Sequence, residues 1–122
     1  MHTRIYILIF MLPLLIIGCT KDKTAGTCSG DCLPNMVSYE VDIKPLISQS
    51  CATNNGPGTG CHDAWIFEYD NVLSSVKSGD FRRVILEDMT MPKIPNDFNI
   101  APLTEAELKL FECWICDGAP NN

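Results

Sequence analysis

A small all-α domain with long loops is what the sequence predicts, and three observations carry the prediction. Apolar residues recur at helical spacing in four separate stretches. One of those stretches opens with a complete capping box, Thr104-Glu105-Ala106-Glu107. No segment shows the two-residue alternation of a half-buried strand.

Each helix has its own signals. Asp42 is placed to cap the first, Pro45 falls in its first turn where no backbone donor is missed, and Ile43, Leu46 and Ile47 form its stripe as far as Ser50. Asp70 or Asn71 can cap the second, with Val72, Leu73 and Val76 on one face and Gly79 as its stop. Asp80 can cap the third, which places Phe81, Val84, Ile85 and Met89 together on its apolar side. In the fourth, Leu103 and Leu108 stand at the two hydrophobic-staple positions, Leu108, Phe111, Trp114 and Ile115 make the stripe, and Gly118 ends it. At about 100° per residue, Cys113 and Cys116 share a flank of this helix away from Phe111 and Ile115, facing something other than the core those residues fill.

The connections are equally legible. Residues 53–60 hold three glycines, a proline and two asparagines, and read as coil. Ala64-Trp65-Ile66-Phe67 is an apolar run that packs on the core or on a bound group. Pro92, Pro95 and Pro102 forbid a continuous helix between Thr90 and Leu103, and Met91 lies in that irregular stretch. Methionine more often fills cores, so Met89 is assigned to the core and Met91 to a loop role.

Ahead of the helices lies a processing segment. Arg4 precedes an apolar run from Ile5 to Ile17, too short for a comfortable membrane span, and the run ends in Ile16-Ile17-Gly18-Cys19. Residues 1–18 read as a secretory signal, 19–37 as a polar tether and 38–122 as the single folded domain. The whole chain has nine basic residues, Arg4 among them, against fifteen acidic ones, which argues against nucleic-acid binding.

Ile16-Ile17-Gly18-Cys19 resembles the lipobox of bacterial lipoproteins. That resemblance implies cleavage before Cys19, lipidation of its sulfur, and anchoring to the bilayer of the bacterial cell envelope on the periplasmic or cell-surface side. Thr20 after Cys19 carries no obvious inner-membrane retention signal, which favours the outer membrane. Export places the remaining six cysteines in an oxidising compartment, where thiols pair or carry a cofactor. A purely flexible tether has no use for Cys28 and Cys32. Two disulfides joining them to Cys113 and Cys116, in an order the sequence does not specify, are favoured over a four-cysteine zinc site or a redox-active Cys-x-x-Cys.

The order of the remaining parts resembles small class I c-type cytochromes, in particular the cytochrome-c-like domains of bacterial lipoproteins and planctomycete-type cytochromes. The matching pieces are Tyr39 to Ile47, Ser50-Cys51, Cys61-His62, Met91-Pro92, and Cys113-Trp114-Ile115-Cys116-Asp117-Gly118-Ala119-Pro120, over residues 39–122. The resemblance implies a small cytochrome c-like fold of about four short helices and one covalent haem c. Cys51 and Cys61 would be its thioether cysteines, His62 its proximal iron ligand and Met91 its distal one. A six-coordinate iron implies electron transfer with redox partner proteins and no enzymatic activity. His2 lies in the signal, so His62 is the only imidazole of the processed chain. Nine residues separate Cys51 from Cys61 where the family motif has two, so Cys51 has two readings, a thioether or a disulfide. The family's proline after the attachment site is missing, since none lies between Pro57 and Pro92. Two rival readings stand beside the cytochrome: a haem-free, disulfide-stapled lipoprotein with a binding or structural role, and a haem enzyme or sensor with an open distal position.

Overall fold

The computed structural model describes residues 28, 30–51, 62, 64–95 and 97–122. The sequence assignments at Cys19, at Cys61, in the signal and through the glycine-rich loop lie outside the described residues.

Among the described residues the fold is all helix and loop, with four α-helices and no strand. The chain enters through a π-helical turn, Tyr39–Ile43, which runs directly into α1, Lys44–Ser50. A 3₁₀ turn, Ala64–Phe67, leads to α2, Tyr69–Ser78. Gly79 then reverses the chain into α3, Asp80–Arg82, which widens into a second π-helical turn, Arg83–Glu87. An irregular stretch with cis peptides at Met91-Pro92 and Ile94-Pro95 precedes α4, Glu105–Cys116. No helix among the described residues is long and apolar enough to cross a membrane.

The first helix starts earlier than its sequence suggests. Asp42 does not cap it from outside. Ser38 is the cap, its hydroxyl accepting the Val41 amide at 3.3 Å, and Asp42 Oδ2 accepts the Ser38 amide at 2.8 Å. Pro45 lies in the first turn of α1, as its sequence suggests, although the π-helical turn ahead of it leaves the helical run unbroken. Its ring would crowd the carbonyl four residues back in a regular α-helix. The preceding turn is wound wider, with the Ile43 amide reaching Ser38 O at 3.2 Å and the Lys44 amide reaching Tyr39 O.

α2 also starts one residue before the expected caps. Glu68 is the flanking residue and makes no side-chain cap, while Asn71 Nδ2 donates to the Trp65 carbonyl at 3.0 Å. Its end is as the sequence indicates. Gly79 sits at φ 85°, a left-handed conformation that glycine adopts without a Cβ clash.

Both ends of α4 follow their sequence signals. Thr104 Oγ1 accepts the Glu107 amide at 3.3 Å, and Glu107 Oε2 accepts the Thr104 amide at 2.7 Å. At the other end the Ala119 amide bonds Trp114 O at 2.8 Å and the Gly118 amide bonds Ile115 O at 3.1 Å, with Gly118 at φ 87°. This is a Schellman stop, and it turns the last residues back over the core.

The core is built on aromatic rings from four elements. Trp114 and Phe111 of α4 are fully buried, and Tyr39 stacks on Trp114 with ring centroids 5.6 Å apart. Phe81 meets Phe111 edge-on at 5.6 Å, and Tyr69 meets Tyr39 edge-on at 4.9 Å. Val72, Val76, Ile43 and Ile47 fill the space between them. The indole Nε1 of Trp114 donates to Pro120 O at 3.0 Å and the Tyr69 hydroxyl to Ala119 O at 2.7 Å, so the returning C-terminal segment satisfies two core donors.

Two disulfides staple the segment before Val37 to α4. Cys28 pairs with Cys116 and Cys32 with Cys113. The expected flank needs a correction here. Cys113 does not look away from the core but is part of it, 2 % exposed, because Cys32 and the buried Val37 extend the core over that side of α4. Asp117 Oδ2 accepts the Asn35 amide at 2.8 Å and holds the same strap in place.

Candidate functional site

Three of the four residues that the sequence singles out for a cofactor fall on one cavity. It has a volume of about 200 Å³, and Cys51, His62 and Met91 all line it. Its walls are mainly apolar, from Ile66, Phe81, Val84 and Ile85 with the Trp65 ring, and Ser75 and Asp80 are the other polar contributors. The fourth residue, Cys61, lies outside the described residues.

Each side chain arrives by a different local device. Cys51 closes α1, its amide bonded to Ile47 O at 2.9 Å, and is 5 % exposed. The helix therefore points its last residue into the interior. His62 is half-buried and stands edge-on to Trp65, with ring centroids 5.4 Å apart and an interplanar angle of 88°. The 3₁₀ turn that follows buries Ile66 at 3 % exposure and leaves Trp65 and Phe67 at 39 % and 41 %, so the apolar run 64–67 is split between core and surface.

Met91 is positioned by the end of the second π-helical turn. The Asp88 amide bonds Arg83 O at 2.7 Å, and the amides of Thr90 and Met91 both reach back to Val84 O, at 2.9 and 3.1 Å. Met89 between them adopts φ 50°. That left-handed residue reverses the chain, which turns Met89 outward and brings Met91 back beside Val84. The assignment of Met89 to the core is thereby corrected: it is 66 % exposed and borders a separate groove with Leu86, Glu87 and Leu108. Helical periodicity extended from Ile85 to Met89 fails because regular winding stops at Glu87.

Sequence reasoning missed Ser75 and Asp80. Ser75 adjoins the apolar stripe of α2 without belonging to it, and no sequence signal marks it. Asp80 appeared only as a helix start. At the cavity its carboxylate is engaged by the Ser78 hydroxyl at 3.0 Å and by Arg83 Nη2 at 3.5 Å, both exposed contacts.

Burial raises the Tyr39 phenol, the hydrogen bond that Lys44 donates to Glu40 raises its ammonium, and the one that Arg83 donates to Asp88 raises its guanidinium. The hydrogen bonds of Thr104 lower the Glu107 carboxyl. The cavity offers soft and borderline donors, two sulfurs and one imidazole, in a mainly apolar enclosure. Among the described residues no group of three or more His, Cys, Asp and Glu side chains is arranged to hold a metal ion. No protein-family model, curated protein or solved structure matches the chain.

Proposed function

We propose that this protein is a monohaem c-type cytochrome that carries electrons outside the cytoplasm, lipid-anchored through Cys19. The single observation that carries the reading is the convergence of Cys51, His62 and Met91 on one apolar cavity, although four helical elements separate His62 from Met91 in the chain. An imidazole and a thioether are a donor set that suits a low-spin haem iron and favours its reduced state. Thiols beside them suit covalent attachment, and the apolar walls suit the macrocycle.

Under this reading His62 and Met91 hold the iron, Cys61 forms a thioether, and Cys51 forms the second. Haem, when bound, supplies a one-electron couple. The chain's own residues bind it, keep water from it with Ile66, Phe81, Val84 and Ile85, and leave no open coordination position for a substrate.

A second reading is a haem-free lipoprotein with a binding or structural role. It is favoured by the closure of the aromatic core around Trp114 and Phe111 with two disulfides, and by a cavity below the usual 300–1,000 Å³ of cofactor pockets. The deciding experiment is production in a host with cytochrome maturation, followed by a haem stain and an intact mass on denatured protein. Covalent haem survives denaturation, so one added haem per chain supports the cytochrome. An unmodified mass with six cysteines oxidised overturns it in favour of the second reading.

A further inference from the structure

The strap carries an exposed apolar turn whose position relative to the lipid anchor is constrained. The Met36 amide bonds Leu33 O at 3.2 Å, closing a turn in which Asn35 adopts φ 57°. Leu33 is 66 % exposed and Met36 is 53 % exposed, with Pro34 exposed between them and no charged residue in the turn. Neither side chain joins the core, yet the turn is not loose. Cys28 and Cys32 fasten its approach to α4, and Asp117 holds the Asn35 amide.

Nine peptide steps separate Cys19 from Cys28. Fully extended, they span at most about 30 Å. A chain anchored at Cys19 therefore keeps the stapled end within that distance of the bilayer surface. An apolar turn stapled there stays within reach of the membrane. We propose that the Leu33–Met36 turn is the membrane-contact surface of this domain, docking on the bilayer that holds the acylated Cys19. The proposal rests on the lipid-anchor reading and is independent of the haem.

The orientation has a consequence for the cavity. The strap leads through Val37 and Ser38 into the first helix, which ends at Cys51 on the cavity wall. The strap and the cavity share no lining residue, so docking by the turn leaves the cavity lining unused.

The test uses the full lipidated chain in phosphatidylethanolamine–phosphatidylglycerol vesicles that carry brominated acyl chains. Two single variants, Leu33→Trp and Met89→Trp, place a reporter at positions of equal exposure in the parent protein, 66 % each. Emission is read as the difference from the parent. At position 33 the expected result is a blue shift and quenching by the brominated chains, with neither at position 89. Co-flotation with no quenching at position 33, or quenching at position 89 instead, overturns the docking face and leaves the anchor standing. Failure of the parent chain to float with vesicles overturns the anchor and the docking face together.

Discussion

Ser38 and Asn122 are 84 residues apart and meet at a hydrogen bond, with Ser38 Oγ donating to the Asn122 main-chain oxygen at 2.7 Å. The same oxygen accepts the Glu40 amide at 3.1 Å, and Asn122 Oδ1 accepts the Tyr39 amide at 2.9 Å. With Asp42 on the Ser38 amide and Ser38 Oγ on the Val41 amide, all four donors at the start of the first helix are satisfied. The far end of the chain supplies half of that cap. Asn122→Ala removes the Oδ1 acceptor and is expected to lower stability by about 1 kcal/mol. The check is urea denaturation, with a lower midpoint at unchanged slope. An unchanged midpoint would show that the first helix does not depend on the C-terminal segment.

The two disulfides close nested loops, and their contributions are unequal in combination. The separations are 88 and 81 residues, and a single closure of that size is worth about 4–5 kcal/mol in the chain-entropy model. Once one bridge exists, the second closes only the small ring formed by residues 28–32 and 113–116, worth roughly 2–3 kcal/mol. Removing one pair of cysteines is therefore expected to cost roughly 2–3 kcal/mol, with the Cys32 and Cys113 pair at the upper end because Cys113 is buried. Removing both pairs is expected to cost roughly 6–8 kcal/mol, comparable with the stability of a whole small domain. Thermal unfolding of the two paired-serine variants and of the quadruple variant measures this. Strictly equal costs for the first and second bridge would refute the nested-loop account.

Tyr39 presents a polar group with no return. Its ring is 1 % exposed between Tyr69 and Trp114, and its hydroxyl has no hydrogen-bond partner among the described residues. Tyr39→Phe keeps the ring and deletes the unpaired hydroxyl, so it is expected to be neutral or to stabilise by about 1 kcal/mol. Burial also raises the phenol above its ordinary 10.0. The folded state then holds its proton while the unfolded chain releases it. That contribution is complete below pH 10.0 and is lost as pH rises through the raised value. The Phe variant is expected to remove this alkaline loss, as read from denaturation midpoints on either side of pH 10. A destabilised variant would show that the hydroxyl has a partner after all.

The capping box of α4 makes the opposite pH prediction. The Thr104 amide and hydroxyl both donate to Glu107, which lowers that carboxyl below 4.5. Its contribution is present above the unfolded value and is lost as pH falls through the lowered one. Thr104→Ala is expected to cost about 1 kcal/mol at neutral pH. The difference between variant and parent should shrink below pH 4 as Glu107 protonates. A difference independent of pH would assign the loss to the Thr104 hydroxyl alone.

Met91 and Met89 are separated by a single residue and face different environments. In haem-loaded protein, Met91→Ala is expected to abolish the methionine-to-iron charge-transfer band, whereas Met89→Ala leaves it unchanged. Absorption spectroscopy of the oxidised protein decides. Loss of the band in the Met89 variant alone would reverse the assignment, and persistence in both would exclude either methionine as ligand.

Much of the fold was legible in the chain because its signals are local. Gly79, Gly118 and the Thr104-Glu107 box act within one turn of themselves, so distant context cannot overrule them. The starts of the first two helices were misread for the complementary reason. Ser38 caps the first helical run with Asn122 bonded beside it, and Asn71 lies inside α2 with its side-chain amide on the Trp65 carbonyl. Met89 was misread because a helical stripe was continued past a left-handed residue that no neighbouring glycine announced.

By itself the sequence determined an all-α chain, a segment before the first helix stapled to the last one, and a short set of sulfur and imidazole residues worth watching. These follow from periodicity, cap chemistry and cysteine placement, which operate over a few residues. Only the tertiary structure decided that Cys28 pairs with Cys116 and Cys32 with Cys113, that Cys113 belongs to the core, and that Cys51, His62 and Met91 line the same cavity. Those outcomes depend on how α4 packs against the first helix and on where the chain reverses at Met89. They are set by contacts between residues tens of positions apart, which no local pattern encodes.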